Sequence, residues 1–130
     1  MKKYIHYLLV CVAMLVGTAN LQAQSMEDFK NTTPEQRAQV QTNLMKTKLQ
    51  LSEEQTTKVA AINLKYAQKM EPVIKGDGGK LAKFREVKKI NEQKDGELKQ
   101  VFTEEQYATY EKAKEQMKEE MKKKIQEKKQ

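Results

Sequence analysis

Glu53/Glu54, Glu104/Glu105 and Glu119/Glu120 are three adjacent carboxylate pairs in a chain of 130 residues, and paired carboxylates are the raw material of general acid–base chemistry. The first two pairs sit inside nearly identical words, LSEEQ (51–55) and FTEEQ (102–106), and TTPEQ (32–36) is a looser third copy. A catalytic dyad must converge on one reacting atom. Adjacent residues on a helix instead point about 100° apart, so these pairs read as solvated helix faces. GDGGK (76–80) has the outline of a phosphate-binding loop, but Ile74 and Leu81 stand where a Walker A loop needs its first Gly and its trailing Ser or Thr. It reads as a turn. Asp77 alone is no calcium loop, which needs several oxygen ligands at alternate positions. Tyr66, Tyr107 and Tyr110 could stack on a ligand, but their helical spacing favours packing.

The single His and single Cys are His6 and Cys11. Lys2 and Lys3 precede an apolar run from Leu8 to Val16, and small and polar residues follow from Gly17 to Gln24. That order predicts a secretory signal peptide over 1–23, cut after Ala23. The apolar run is shorter than the roughly 20 residues of a membrane span. Lipid attachment at Cys11 needs a small residue where Val10 stands, so export to the periplasm is the expectation. Cleavage removes both His6 and Cys11, which excludes disulfides, Ser/His/Asp and Cys/His nucleophile systems, and the imidazole or thiolate sites of zinc and copper. No catalytic residue, metal or cofactor is therefore expected, and the chain reads as a non-enzyme.

Charge is placed unevenly. The chain carries a formal net charge of +7, and residues 112–130 alone hold eight lysines against four glutamates. A basic tail can signal nucleic acid, but the aromatic and basic residues are not interleaved as in a binding platform, so no nucleic-acid partner is expected. Weak contact of the Lys122–Lys129 stretch with anionic membrane surfaces stays open.

The repeated word has a plainer reading as a helix start. In S/T-x-x-E/Q the hydroxyl accepts from the third helical N–H, while the Glu or Gln side chain accepts from the cap's own N–H. Ser52 with Gln55, Thr103 with Gln106, and Thr33 with Gln36 all fit, and the acidic pairs fall in first turns, where the helix dipole favours them. Pro34 fits the first position of a helix, and Phe102 is placed to staple onto Tyr107. Four helices are predicted, over about 34–49, 53–74, 80–101 and 104–127. Their expected buried stripes are Val40, Leu44, Met45 and Leu49; Val59, Ile62, Tyr66, Met70, Val73 and Ile74; Leu81, Phe84, Val87, Ile90, Leu98 and Val101; and Tyr107, Tyr110, Ala113, Met117, Met121 and Ile125. The fold class is all-α. The second and third helices form a long antiparallel hairpin closed by KGDGG (75–79), with the first and fourth packed around it. Such a hairpin buries little apolar surface, which predicts a cradle-like antiparallel homodimer. The organisation is thus a signal peptide (1–23), a flexible segment (24–33), one helical domain (34–127) and a tail (128–130).

An exported, charge-rich helical chain with repeated L-[ST]-x-x-Q words resembles the LTXXQ-motif family of periplasmic Spy/CpxP-like proteins. The likeness runs from TTPEQR (32–37) through LSEEQTTKVAAINLKYAQKM (51–70) to ELKQVFTEEQYATYEKAKEQM (97–117). The matching motif residues are Leu51, Ser52, Gln55, Phe102, Thr103 and Gln106, with Phe102 replacing the usual leucine; in the family they organise helices. The resemblance implies an ATP-independent chaperone of envelope stress that binds unfolded or partly folded proteins on a basic and apolar concave face. Arg37, Met45 and Met121 are the expected client contacts, since cations attract and flexible thioethers adapt, whereas Met70 and Met117 are expected in the core. Metal sensing by relatives relies on histidines that the mature chain lacks. The alternative is a non-enzymatic regulatory or interaction module that binds one envelope partner.

Overall fold

The computed structural model describes residues 31–127 and 129; the expected signal peptide and most of the segment after it lie outside them, as do two of the three tail residues. The chain divides after Thr33, and the second unit, Pro34–Gln130, carries the four helices described here. They are α1 (Pro34–Leu49), α2 (Glu53–Lys75), α3 (Lys80–Val101) and α4 (Glu104–Glu127). The fold is all-α, and the helix boundaries match the sequence reading to within a residue. Among the described residues no helix is long and apolar enough to cross a membrane.

α1 packs against α2 and α2 against α3. At the KGDGG turn α2 ends at Lys75 and α3 starts at Lys80 with no side-chain cap. Gly76 is required there by contact: a Cβ would stand 2.7 Å from the carbonyl oxygen of Pro72, closer than two such atoms can approach. At the other end of the hairpin lies the hydrophobic core of Leu49, Leu51, Val59, Leu98 and Phe102, with Met45, Ile62, Val101, Tyr107 and Tyr110 packed on it.

α1 stops in a Schellman turn. Gln50 adopts φ 52°, and the Leu51 N–H reaches back to the Lys46 carbonyl at 3.2 Å, which turns Leu51 into the core. The left-handed conformation is strained for a residue with a Cβ. Gln50→Gly is expected to raise stability by about 0.5–1 kcal/mol, the relief of strain exceeding the entropy of a freer unfolded chain; urea denaturation measures it.

Three expectations about packing are corrected. In α1, Val40 and Leu44 are exposed (60% and 54%) while Arg37, Ala38, Thr42 and Leu49 are buried. In α3, Leu81 and Phe84 are likewise exposed, and Lys94 is buried between Ile90 and Leu98. α4 does not wrap the hairpin along its length. Only its first turns pack, through Tyr107 and Tyr110, and residues 115–127 are all exposed, Met117, Met121 and Ile125 included. The Phe102 ring also meets Tyr110, at a centroid distance of 5.7 Å, as its aromatic partner, one turn beyond the staple position.

Polar contacts fix the register of the helices. The Arg37 guanidinium, buried between α1 and α2, pairs with Glu71, whose carboxyl is held below the usual carboxylate range by Lys75 and by Arg37. Tyr66 donates to Glu97 Oε1 at 2.6 Å and so ties α2 to α3; burial, then Glu97, pushes the phenol up to about 12. Asn63, fully buried, donates to Thr42 Oγ1 at 2.9 Å.

Candidate functional site

The two words LSEEQ and FTEEQ do more than start helices. Each closes a reciprocal capping box: Ser52 N–H donates to Gln55 Oε1 (3.0 Å) and Gln55 N–H to Ser52 Oγ (3.1 Å), and Thr103 with Gln106 repeats the pattern at 3.0 and 3.2 Å. A capping glutamine keeps its amide N–H₂ spare. Here Gln55 Nε2 donates to the Val101 carbonyl at the end of α3 (3.1 Å) and to Gln106 Oε1 (2.7 Å). Gln106 Nε2 returns the arrangement, donating to the Leu49 carbonyl at the end of α1 (3.2 Å) and to Gln55 Oε1 (3.3 Å). Every donor and acceptor of both side-chain amides is used. Each word therefore starts its own helix and finishes the helix that precedes the other word, and Leu51 and Phe102, one place before each cap, lie together in the core beneath. All six motif residues meet at one clasp, and their role is to hold two helix corners together.

The clasp sets the position of a groove among α1, α3 and α4. By packing only at its first turns, α4 stands off the hairpin and leaves a space of about 690 Å³, within the range of small-ligand sites, roughly 300–1,000 Å³. Its lining is mainly apolar, with Leu44 and Met45 from α1, Phe84 and Val87 from α3, and Ala113 and Met117 from α4. Leu44, Phe84 and Met117 are each more than half exposed. Lys48, Lys88 and Lys118 stand around it against Glu92.

One cation lies inside. Lys94 is 9% exposed, and its ammonium donates to Gln41 Oε1 at 2.7 Å. Burial pushes its amine down to about 8, with Asp95 opposing that shift and Lys114 adding to it. Asp95 is engaged elsewhere, pairing with Lys114 and accepting from Tyr110 Oη at 2.7 Å.

The expected client contacts separate in the structure. Arg37 is buried against Glu71 between α1 and α2 and presents no surface to a partner, because its guanidinium is consumed in holding the two helices together. Met45 is half-buried; it packs on the core and also lines the groove. Met121 is exposed on α4, beyond the groove lining, and Met117, expected in the core, is exposed and lines the groove with Met45. The groove escapes sequence reading because its apolar residues carry the periodicity of a core; the visible signal is surplus, since three stripes hold more large apolar residues than a layer one helix thick can cover. Among the described residues, no cluster of three or more His, Cys, Asp or Glu side chains is placed to hold a metal ion.

Taken together, the all-helical fold, the clasped repeat and the open apolar groove define a small helical scaffold. Residues 21–110 match the model of the family described as Domain of unknown function (DUF4890), and the chain belongs to that family. The matched segment holds both words and ends at Tyr110, the last aromatic of α4 packed on the core. No curated protein and no solved structure matches the chain.

Proposed function

We propose that this chain is a periplasmic, ATP-independent and non-enzymatic chaperone of the Spy/CpxP type, which holds unfolded or partly folded proteins during envelope stress. The observation that carries the reading is the groove, where exposed Leu44, Phe84 and Met117 lie beside Lys48, Lys88 and Lys118. Charge attraction brings a client in at long range, and adaptable apolar contact holds it without demanding one sequence. Binding energy alone then keeps a client from aggregating, with no nucleotide needed. The chain acts as a homodimer in this reading: beyond the groove lining, α4 carries Met121 and Ile125 one turn apart on a fully exposed length, apolar surface that a second copy would cover.

The test is suppression of aggregation of an unrelated, thermally unfolding protein at near-stoichiometric ratios without nucleotide, with solution mass measured by light scattering. Replacing Leu44, Phe84 and Met117 together by Ser is expected to raise the ratio needed for half-suppression about tenfold, each side chain losing part of its apolar transfer energy. The three side chains are exposed, so the fold should hold, which circular dichroism checks. Wild-type protein inert toward several clients in low salt would refute the reading. Saturable binding to one envelope protein with no general effect would assign the chain to regulation instead.

A further inference from the structure

Lys94 is the feature that client capture leaves unexplained. A rim lysine in water attracts any acidic surface, but a lysine 9% exposed has lost most of its hydration, and a buried charge is stable only when paired or well hydrogen-bonded. Among the described residues its one hydrogen bond is to the neutral Gln41 side chain, and it forms no ion pair. The neighbouring carboxylate, Asp95, is already matched by Lys114 and Tyr110. The groove interior therefore holds a single uncompensated positive charge. Along α3 its face is Phe84, Val87, Asn91 and Lys94 at helical steps, so roughly 15 Å of lining leads from exposed Phe84 to buried Lys94. Ala113 and Met117 of α4 line the same groove.

We infer that this groove is a site for a single-chain amphiphile with a monoanionic head, namely a medium-chain fatty acid whose carboxylate pairs with the Lys94 ammonium while its tail lies along Phe84, Val87 and Met117. One unmatched cation calls for one negative charge. A doubly charged phosphate head would bring a second charge that no buried cation matches, beside Asp95. Gln41, through its side-chain N–H₂, can donate to the same carboxylate, and the ammonium retains donors beyond the one given to Gln41. The site thus offers what a free carboxylate loses on leaving water, and the apolar walls supply the tail's transfer energy.

The inference stands apart from client capture, because it is read with no client present. Isothermal titration of the full chain with sodium dodecanoate below its micelle concentration should give saturable binding of one molecule per groove. Lys94→Met should weaken it on the order of tenfold or more, the effect of losing a charged hydrogen bond, and Phe84→Ser should weaken it separately. Dodecanol and dodecyltrimethylammonium, which have the tail without the anion, should bind at least as weakly as dodecanoate binds Lys94→Met, and dodecyl phosphate should bind less well than dodecanoate. Equal affinity of wild type and Lys94→Met, equal affinity for dodecanol, or uptake of many dodecanoate molecules per chain would overturn the inference.

Discussion

Gln55→Glu is expected to destabilise the protein by about 2–4 kcal/mol at pH 7, although Glu is an ordinary capping-box residue. The substitution keeps the oxygen that accepts from Ser52 N–H and adds a negative charge in the first turn of α2, where the helix dipole welcomes it. If the motif did nothing beyond starting a helix, the change would be neutral or mildly stabilising. It also replaces the amide N–H₂ by an oxygen, facing the Val101 carbonyl and Gln106 Oε1, which now accept at 3.1 and 2.7 Å. Two acceptors lose their donor and a carboxylate is pressed against both. For a helical domain of this size the loss corresponds to roughly 10–20 °C in melting temperature, read by circular dichroism. The equivalent Gln106→Glu removes the donor to the Leu49 carbonyl and should behave alike. Each substitution removes its own pair of hydrogen bonds, and the double variant also sets two carboxylates facing each other where the amides now bond, so it should cost more than the sum of the singles. Acidification that protonates the introduced carboxylate restores one donor and should recover part of the loss. A Gln55→Glu protein as stable as wild type would reduce the clasp to two independent caps.

The difference between cap and clasp marks how far the sequence could be read. Local chemistry is legible. Ser52–Gln55 and Thr103–Gln106 form their boxes because three-residue spacing is a property of one helix turn, and α1 opens at Pro34 for a similarly local reason. The second use of each glutamine depends on a partner about 50 residues away, and no spacing rule encodes it. Stripe reading fails for a different reason. The buried residues of α1 are Arg37, Ala38, Thr42 and Leu49; those of α2 are Val59, Asn63 and Tyr66; those of α3 are Ile90, Lys94 and Leu98. Each set holds a polar or charged residue, two of them in α1, and a search for apolar periodicity skips these and follows exposed neighbours such as Val40 and Leu81 instead. The polar members answer one another across the interfaces, Thr42 with Asn63 and Gln41 with Lys94. A thin layer of helices has little core, and directional contacts of this kind specify its register where apolar area cannot.

Lys94 is where that specification is most expensive, and removing it should show the size of the effect. The amine sits near 8 in the folded protein against about 10.5 for an exposed lysine, chiefly through burial, with Asp95 raising it and Lys114 lowering it. Between those two values the unfolded chain retains the proton while the folded chain sheds it. The unfolded state then binds more protons, so the Lys94 contribution to stability rises with pH across that window. Below about pH 8 the folded protein carries the full penalty of a buried charge. Lys94→Met keeps the length of the stem, removes the charge and gives up one hydrogen bond to half-buried Gln41. It should therefore raise stability by about 2–3 kcal/mol at pH 7, and the advantage should fade as the pH approaches 10.5. Tyr66 and Tyr110, whose phenols are also held up by burial, titrate in both proteins and cancel in the difference. Urea denaturation of the pair at pH 7 and pH 10.5 measures it. A variant more stable at neutral pH yet unable to hold dodecanoate would mean that the buried charge is retained for its ligand. A variant less stable than wild type at pH 7 would instead make Lys94 a structural member of the α1–α3 contact through Gln41.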